Sequence, residues 1–109
     1  MTDTSHEIPE LDPREARARV DAGAAFVDVR EPDELRAVRV PDATPLPLST
    51  FLDAWEQALD PAQEVMVLCR SGARSGRVTA FLREQGVPAV NVRGGILAWE
   101  REGLTVEKE

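Results

Sequence analysis

The segment EVMVLCRSGARSGRVTAFLREQG, residues 64–86, decides how the rest of the chain is read. Val65, Met66, Val67 and Leu68 form an unbroken apolar run, as expected of a strand buried on both faces of a parallel sheet. After Cys69 the residues turn polar, with Gly72 among them. From Ser75 onward the apolar spacing becomes helical and stops at Gly86, with Ser75 placed as the N-cap. A strand, a tight loop and a returning helix make the basic unit of an α/β sheet. Functional crevices in such sheets lie beyond the carboxyl ends of strands, and Cys69 stands at one.

The flanking sequence repeats the alternation. Toward the amino end, LDPREARARVDAG predicts a helix with Asp12 as N-cap, Pro13 in its first turn, Glu15 placed for a capping box and Gly23 as its stop. AAFVDVRE predicts a short buried strand carrying Phe26, Val27 and Val29. Residues 38–48 contain three prolines, which favours turns and an edge strand near Thr44–Leu46 over a helix. STFLDAWEQALD predicts a second helix, with Thr50 and Asp53 as a capping box and Leu52, Trp55 and Leu59 on one face. Beyond residue 86, VPAVNV predicts a strand and GILAWEREG a closing helix. The expected fold is one α/β domain over residues 1–109, with an ordered core at roughly 7–105 and short polar tails. It has three layers: a mainly parallel sheet of about five strands with helices on both faces.

Composition narrows the function. The net charge of −7 disfavours nucleic acid or an anionic membrane as partner, so any cationic site must be local. One cysteine allows no internal disulfide, and one histidine, His6, adds too little for a metal site. The amino end is polar and acidic, unlike a signal peptide, and no apolar run reaches membrane-spanning length. A cytoplasmic protein without metal or cofactor is the expectation.

Free cysteine is often just a small buried apolar residue. The sequence around Cys69 argues for more. In a loop between strand and helix, the backbone N–H groups from Arg70 to Ser75, Ala73 included, have few other partners and can turn inward toward an anion. Gly72 permits a backbone angle or close approach that a side chain would forbid. Arg70 and Arg74 add positive charge, and Ser71 and Ser75 add hydroxyls. Such surroundings favour thiolate over thiol.

On these residues the chain resembles the single-domain rhodanese-like sulfurtransferases over nearly its whole length. FVDVREPDEL, VMVLCRSGARS, AFLREQGVPAVNV and VRGGILAWEREG carry the likeness. The resemblance implies that Cys69 becomes a persulfide and that residues 70–75 cradle it. It implies a two-step transfer from a small sulfur donor such as thiosulfate to cyanide, a thiol or a protein acceptor. A cysteine desulfurase or a sulfur-carrier protein would be a natural partner. Asp28 and Arg30, in the family landmark DVRE, are expected to be structural, Arg30 pairing with Asp28, Glu31 or Glu34, with Asp28 on the border of the pocket. Arg77 and Arg83 are expected to be solvated helix charges, Gly94 and Gly95 to permit a turn, and Trp99 to anchor the core.

Two departures from the family pattern stand out. VRVPDA replaces a common Gly-His-Ile-Pro-Gly-Ala, so Arg39 and Asp42 stand in place of histidine and glycine. Ser71 occupies a position where thiosulfate-specific members often carry lysine. The phosphatase loop of related folds places arginine six residues after cysteine, whereas Arg74 follows Cys69 by five; that reading is rejected. A thioredoxin-like oxidoreductase would need a second cysteine. The rival from another class is a non-catalytic or partner-dependent module on the same scaffold.

Overall fold

The computed structural model describes residues 8–109; His6 lies outside them. The segment 64–86 forms β5 (Val65–Leu68), a four-residue loop and α4 (Ala73–Glu84). Before it come β1 (Glu10–Leu11), α1 (Pro13–Asp21), β2 (Ala25–Asp28), α2 (Pro32–Ala37), β3 (Val38–Arg39), β4 (Thr44–Pro45) and α3 (Phe51–Ala58). After it come β6 (Ala89–Val92), α5 (Gly95–Arg101) and β7 (Glu107–Lys108). Five strands make one sheet in the order β1-β6-β5-β2-β4, parallel at every pairing. β3 and β7 pair antiparallel in a separate two-stranded ribbon, which the sequence did not announce.

Alternation along β5 divides the core. Val65, Val67 and Cys69 face one side and pack with Phe51 and Trp55 of α3 and Val78 and Leu82 of α4. Met66 and Leu68 face the other and meet Ala16 of α1 and Ile96 and Trp99 of α5. All residues of β5 and β6 are buried, as the apolar run predicts for a sheet covered on both faces. Trp99 is the expected anchor: it is fully buried, lies 5.4 Å from Phe26 ring to ring and donates its Nε1–H to the Thr105 carbonyl. No helix among the described residues is long and apolar enough to cross a membrane.

Local chemistry explains the boundaries. Asp12 caps α1 by accepting from the Glu15 N–H, with Pro13 in the first turn as expected. The prolines around β4 sit on the edge of the sheet, where a missing N–H does no harm. Three expectations need correction. Thr50 does not cap α3, because a single 3-10 turn at Leu48–Thr50 precedes the helix and its hydroxyl turns back to the Pro47 carbonyl. Leu52 is 70% exposed, since Phe51 and Trp55 both set their rings edge-on to Phe81 and so fix the helix rotation. Ser75 is not an N-cap: α4 begins earlier, behind Gly72 at φ +100°, which puts Ser75 in the first turn.

The two departures in the 38–43 segment have partners. Asp42 takes two hydrogen bonds from the Arg17 guanidinium, tying this segment to α1, and Arg17 holds its carboxyl below the ordinary range. Arg39 pairs with Glu107 at 2.9 Å across the β3–β7 ribbon.

Candidate active site

Cys69 follows β5 directly, and the loop after it folds back over the sulfur. Sγ accepts from the Gly72 N–H at 3.1 Å and lies 3.2 Å from the Ser75 hydroxyl. The residue is 1% exposed. Burial pushes the Cys69 thiol up. Hydrogen bonds from the N–H groups of Ser75, Gly72 and Ser71 pull it down, and it rests below its ordinary value.

Why the N–H groups point inward follows from where the carbonyls go. The carbonyls of Cys69 and Arg70 accept from the N–H groups of Ile96 and Leu97 in the first turn of α5. This contact brings two backbones together at Gly95, whose φ is +62° and where an added Cβ would lie 2.3 Å from the Arg70 oxygen. The glycine pair expected to allow a turn is thus also needed for close approach. With its carbonyls held outside, the loop presents its N–H groups to the sulfur.

The arginines divide. Arg70 is exposed at the mouth and carries no ion pair among the described residues. Arg74 is committed elsewhere: Nη1 and Nη2 each reach one carboxylate oxygen of Glu34 at 2.7 Å. That bidentate pair holds the Glu34 carboxyl at about 2. Arg74 still feels the charge of Cys69, but as half of a neutralised pair. Arg77 is exposed, and Arg83, also exposed, donates to the Ala89 carbonyl. Ser71, on the loop, and Ala73, the first residue of α4, are exposed.

Asp28 and Arg30 form a buried pair beside the loop rather than a surface one. Arg30 Nη2 lies 2.8 Å from Asp28 Oδ2, and its Nε reaches both carboxylate oxygens. The rest of the guanidinium donates to the carbonyls of Val38 and Glu34. Asp28 stands opposite Leu68, so this network fixes the strand end from which Cys69 departs. Arg30 borders a recess of about 180 Å3 shared with Arg70, Glu34 and Leu97; Asp28 does not line it.

Two residues of the site had not been expected there. Glu34, named in the sequence only as a possible partner of Arg30, reaches Arg74 in the first turn of α4 from 40 residues away; its carboxylate also accepts the Glu31 N–H at the start of α2. Asn91, fully buried in β6, touches Ser75 Oγ, the Gly72 carbonyl and the Glu10 carboxylate. A lone amide inside the apolar run AVNV was the available signal for it.

A family model described as a rhodanese-like domain matches residues 12–102. A protein named sulfurtransferase from Allochromatium vinosum is 41% identical over 82 residues, covering 74% of this chain and 76% of its own. Thiosulfate sulfurtransferase 18 of Arabidopsis thaliana is 31% identical, covering 96% and 88%. Among solved structures, a rhodanese-related protein from Thermoplasma volcanium superposes with a TM-score of 0.84 at 30% identity, covering 93% of this chain and 99% of its own.

Proposed function

The chain belongs to the rhodanese-like family, in which the Allochromatium vinosum and Arabidopsis thaliana relatives are named sulfurtransferases, and on that premise we propose that Cys69 carries sulfane sulfur as a persulfide. The observation that carries the proposal is the convergence of the Ser71, Gly72 and Ser75 N–H groups on one buried sulfur. Fixed dipoles of that kind stabilise an anion without reorganising during the reaction.

In the first step the Cys69 thiolate attacks the outer sulfur of a donor such as thiosulfate. The donor's S–S bond breaks, its electron pair leaves on sulfite, and Cys69 holds an S–S⁻ group. In the second, a thiol, cyanide or a protein acceptor attacks that outer sulfur, and Sγ departs as thiolate. The same N–H groups serve the thiolate at both ends of the cycle. With Cys69 the only cysteine, the acceptor comes from outside the chain. Since Cys69 is 1% exposed, donor and acceptor must offer a narrow terminal atom. Exposed Arg70 supplies a cation at the mouth for an anionic donor.

Mass spectrometry of the intact chain after incubation with thiosulfate, mercaptopyruvate or a cysteine desulfurase tests this. A gain of one sulfur atom, lost in Cys69→Ser, is the expected result and identifies the donor. No gain from any donor would turn the reading to a binding module that uses the fold without the chemistry.

A further inference from the structure

The hydroxyl beside the sulfur is itself held from behind. Asn91 lies on the same face of the sheet as Cys69, by the same alternation that directs Val90 and Val92 to the other face. Its Nδ2 group has two protons. One goes to the Gly72 carbonyl at 3.1 Å, the other to Glu10 Oε2 at 2.8 Å. A carbonyl and a carboxylate both accept, so turning the amide over would set oxygen against oxygen twice. The amide oxygen must therefore face Ser75 Oγ, 2.5 Å away. It has no proton to give, so the hydrogen between them belongs to the hydroxyl. A serine has only one such proton, and what remains toward Sγ is a lone pair.

We propose that Asn91 is a positioning residue that holds the Ser75 hydroxyl proton away from Sγ, so that the resting thiol donates to Ser75 and backbone N–H groups alone serve the thiolate. When Cys69 ionises, its charge faces an oxygen lone pair, or else the hydroxyl turns to the sulfur and abandons Asn91. Either course makes the bare thiolate costlier. A persulfide carries its charge one bond further out, on the outer sulfur, and escapes most of that cost. Asn91 thus tilts Cys69 toward the loaded form, a meaning that rests on the sulfur-transfer reading above.

The test titrates the thiol of the full chain by the rate of iodoacetamide alkylation against pH. No sulfur donor or acceptor enters it, so its failure is distinct from a failure of sulfur transfer. Asn91→Leu, which offers Ser75 no acceptor, should lower the thiol midpoint by about one pH unit. In a Ser75→Ala background, Asn91→Leu should move nothing. An unchanged or raised midpoint in Asn91→Leu, or the same drop without the hydroxyl, would overturn the proposal. Should Asn91→Leu fail to fold, Ser75→Ala decides alone. Loss of an accepting hydroxyl leaves the midpoint level or lower, whereas loss of a donating one raises it and overturns the proposal.

Discussion

Two arginine–carboxylate pairs flank the sulfur loop, and they differ in almost everything except geometry. Asp28–Arg30 is sealed, both side chains at most 2% exposed, with every guanidinium contact made inside the protein. Glu34–Arg74 is bidentate as well, but its side chains are 25–29% exposed. The first joins residues two apart and braces the end of β2 beside β5. The second joins α2 to the first turn of α4 across 40 residues. Arg30 also donates to the Glu34 carbonyl, so the two pairs touch. The contrast separates two jobs that one motif could suggest for both: the buried pair holds the frame, and the half-buried pair holds the rim.

Breaking the buried pair tests the frame. Arg30→Met leaves Asp28 without its partner in a sealed site and should cost about 3–5 kcal/mol in denaturant unfolding. Asp28→Leu together with Arg30→Met should cost far less, because no charge is then stranded. A single variant as stable as the wild type would erase the distinction between the pairs.

A smaller effect is expected at the rim. Glu34→Gln should cost about 1 kcal/mol at neutral pH, the partial exposure of the pair holding the figure down. The folded Glu34 carboxyl titrates at about 2, below its ordinary value of 4.5. Its contribution is therefore complete above about pH 4.5 and fades as pH falls toward 2. Stability curves of the two proteins should converge across that window; parallel curves would deny the ion pair its role.

The smallest effect concerns the sulfur itself. Arg74→Ala removes a cation near Cys69 and takes the pair from neutral to a net charge of −1, which raises the thiol midpoint. Because the pair is partly exposed to solvent, the rise should stay near half a pH unit in an alkylation profile. A shift of two units or more would mean that Arg74 acts on the sulfur as a free charge and not as a strut.

How much of this was legible depended on sequence distance. The strand ending at Cys69, the returning helix and the inward N–H groups are local, and residues 64–86 carry them. α2 escaped notice because PDELRA has no apolar stripe and buries no residue. Thr50 looked like a cap by type alone, while Pro47 and the 3-10 turn decided its geometry. Arg74 was recognisable as a loop cation, yet its partner comes from another helix, so its neutralisation could not be read. That Arg30 pairs with a nearby carboxylate was readable; that the partner is Asp28 and that the pair is buried were not, because the carbonyls that complete it belong to the chain beyond, at Glu34 and Val38.

The order β1-β6-β5-β2-β4 has a consequence in time. β1 can take its place only beside β6, and the Glu10–Asn91 contact that pins the Ser75 hydroxyl spans 81 residues. Contacts of such long range close late, after the loop-entropy cost of joining distant segments has been met. A chain caught partway through folding would hold its cysteine in a nearly finished β5 loop while the pin behind Ser75 was still open. The reactivity of Cys69 therefore reports on whether the sheet has closed at its far edge.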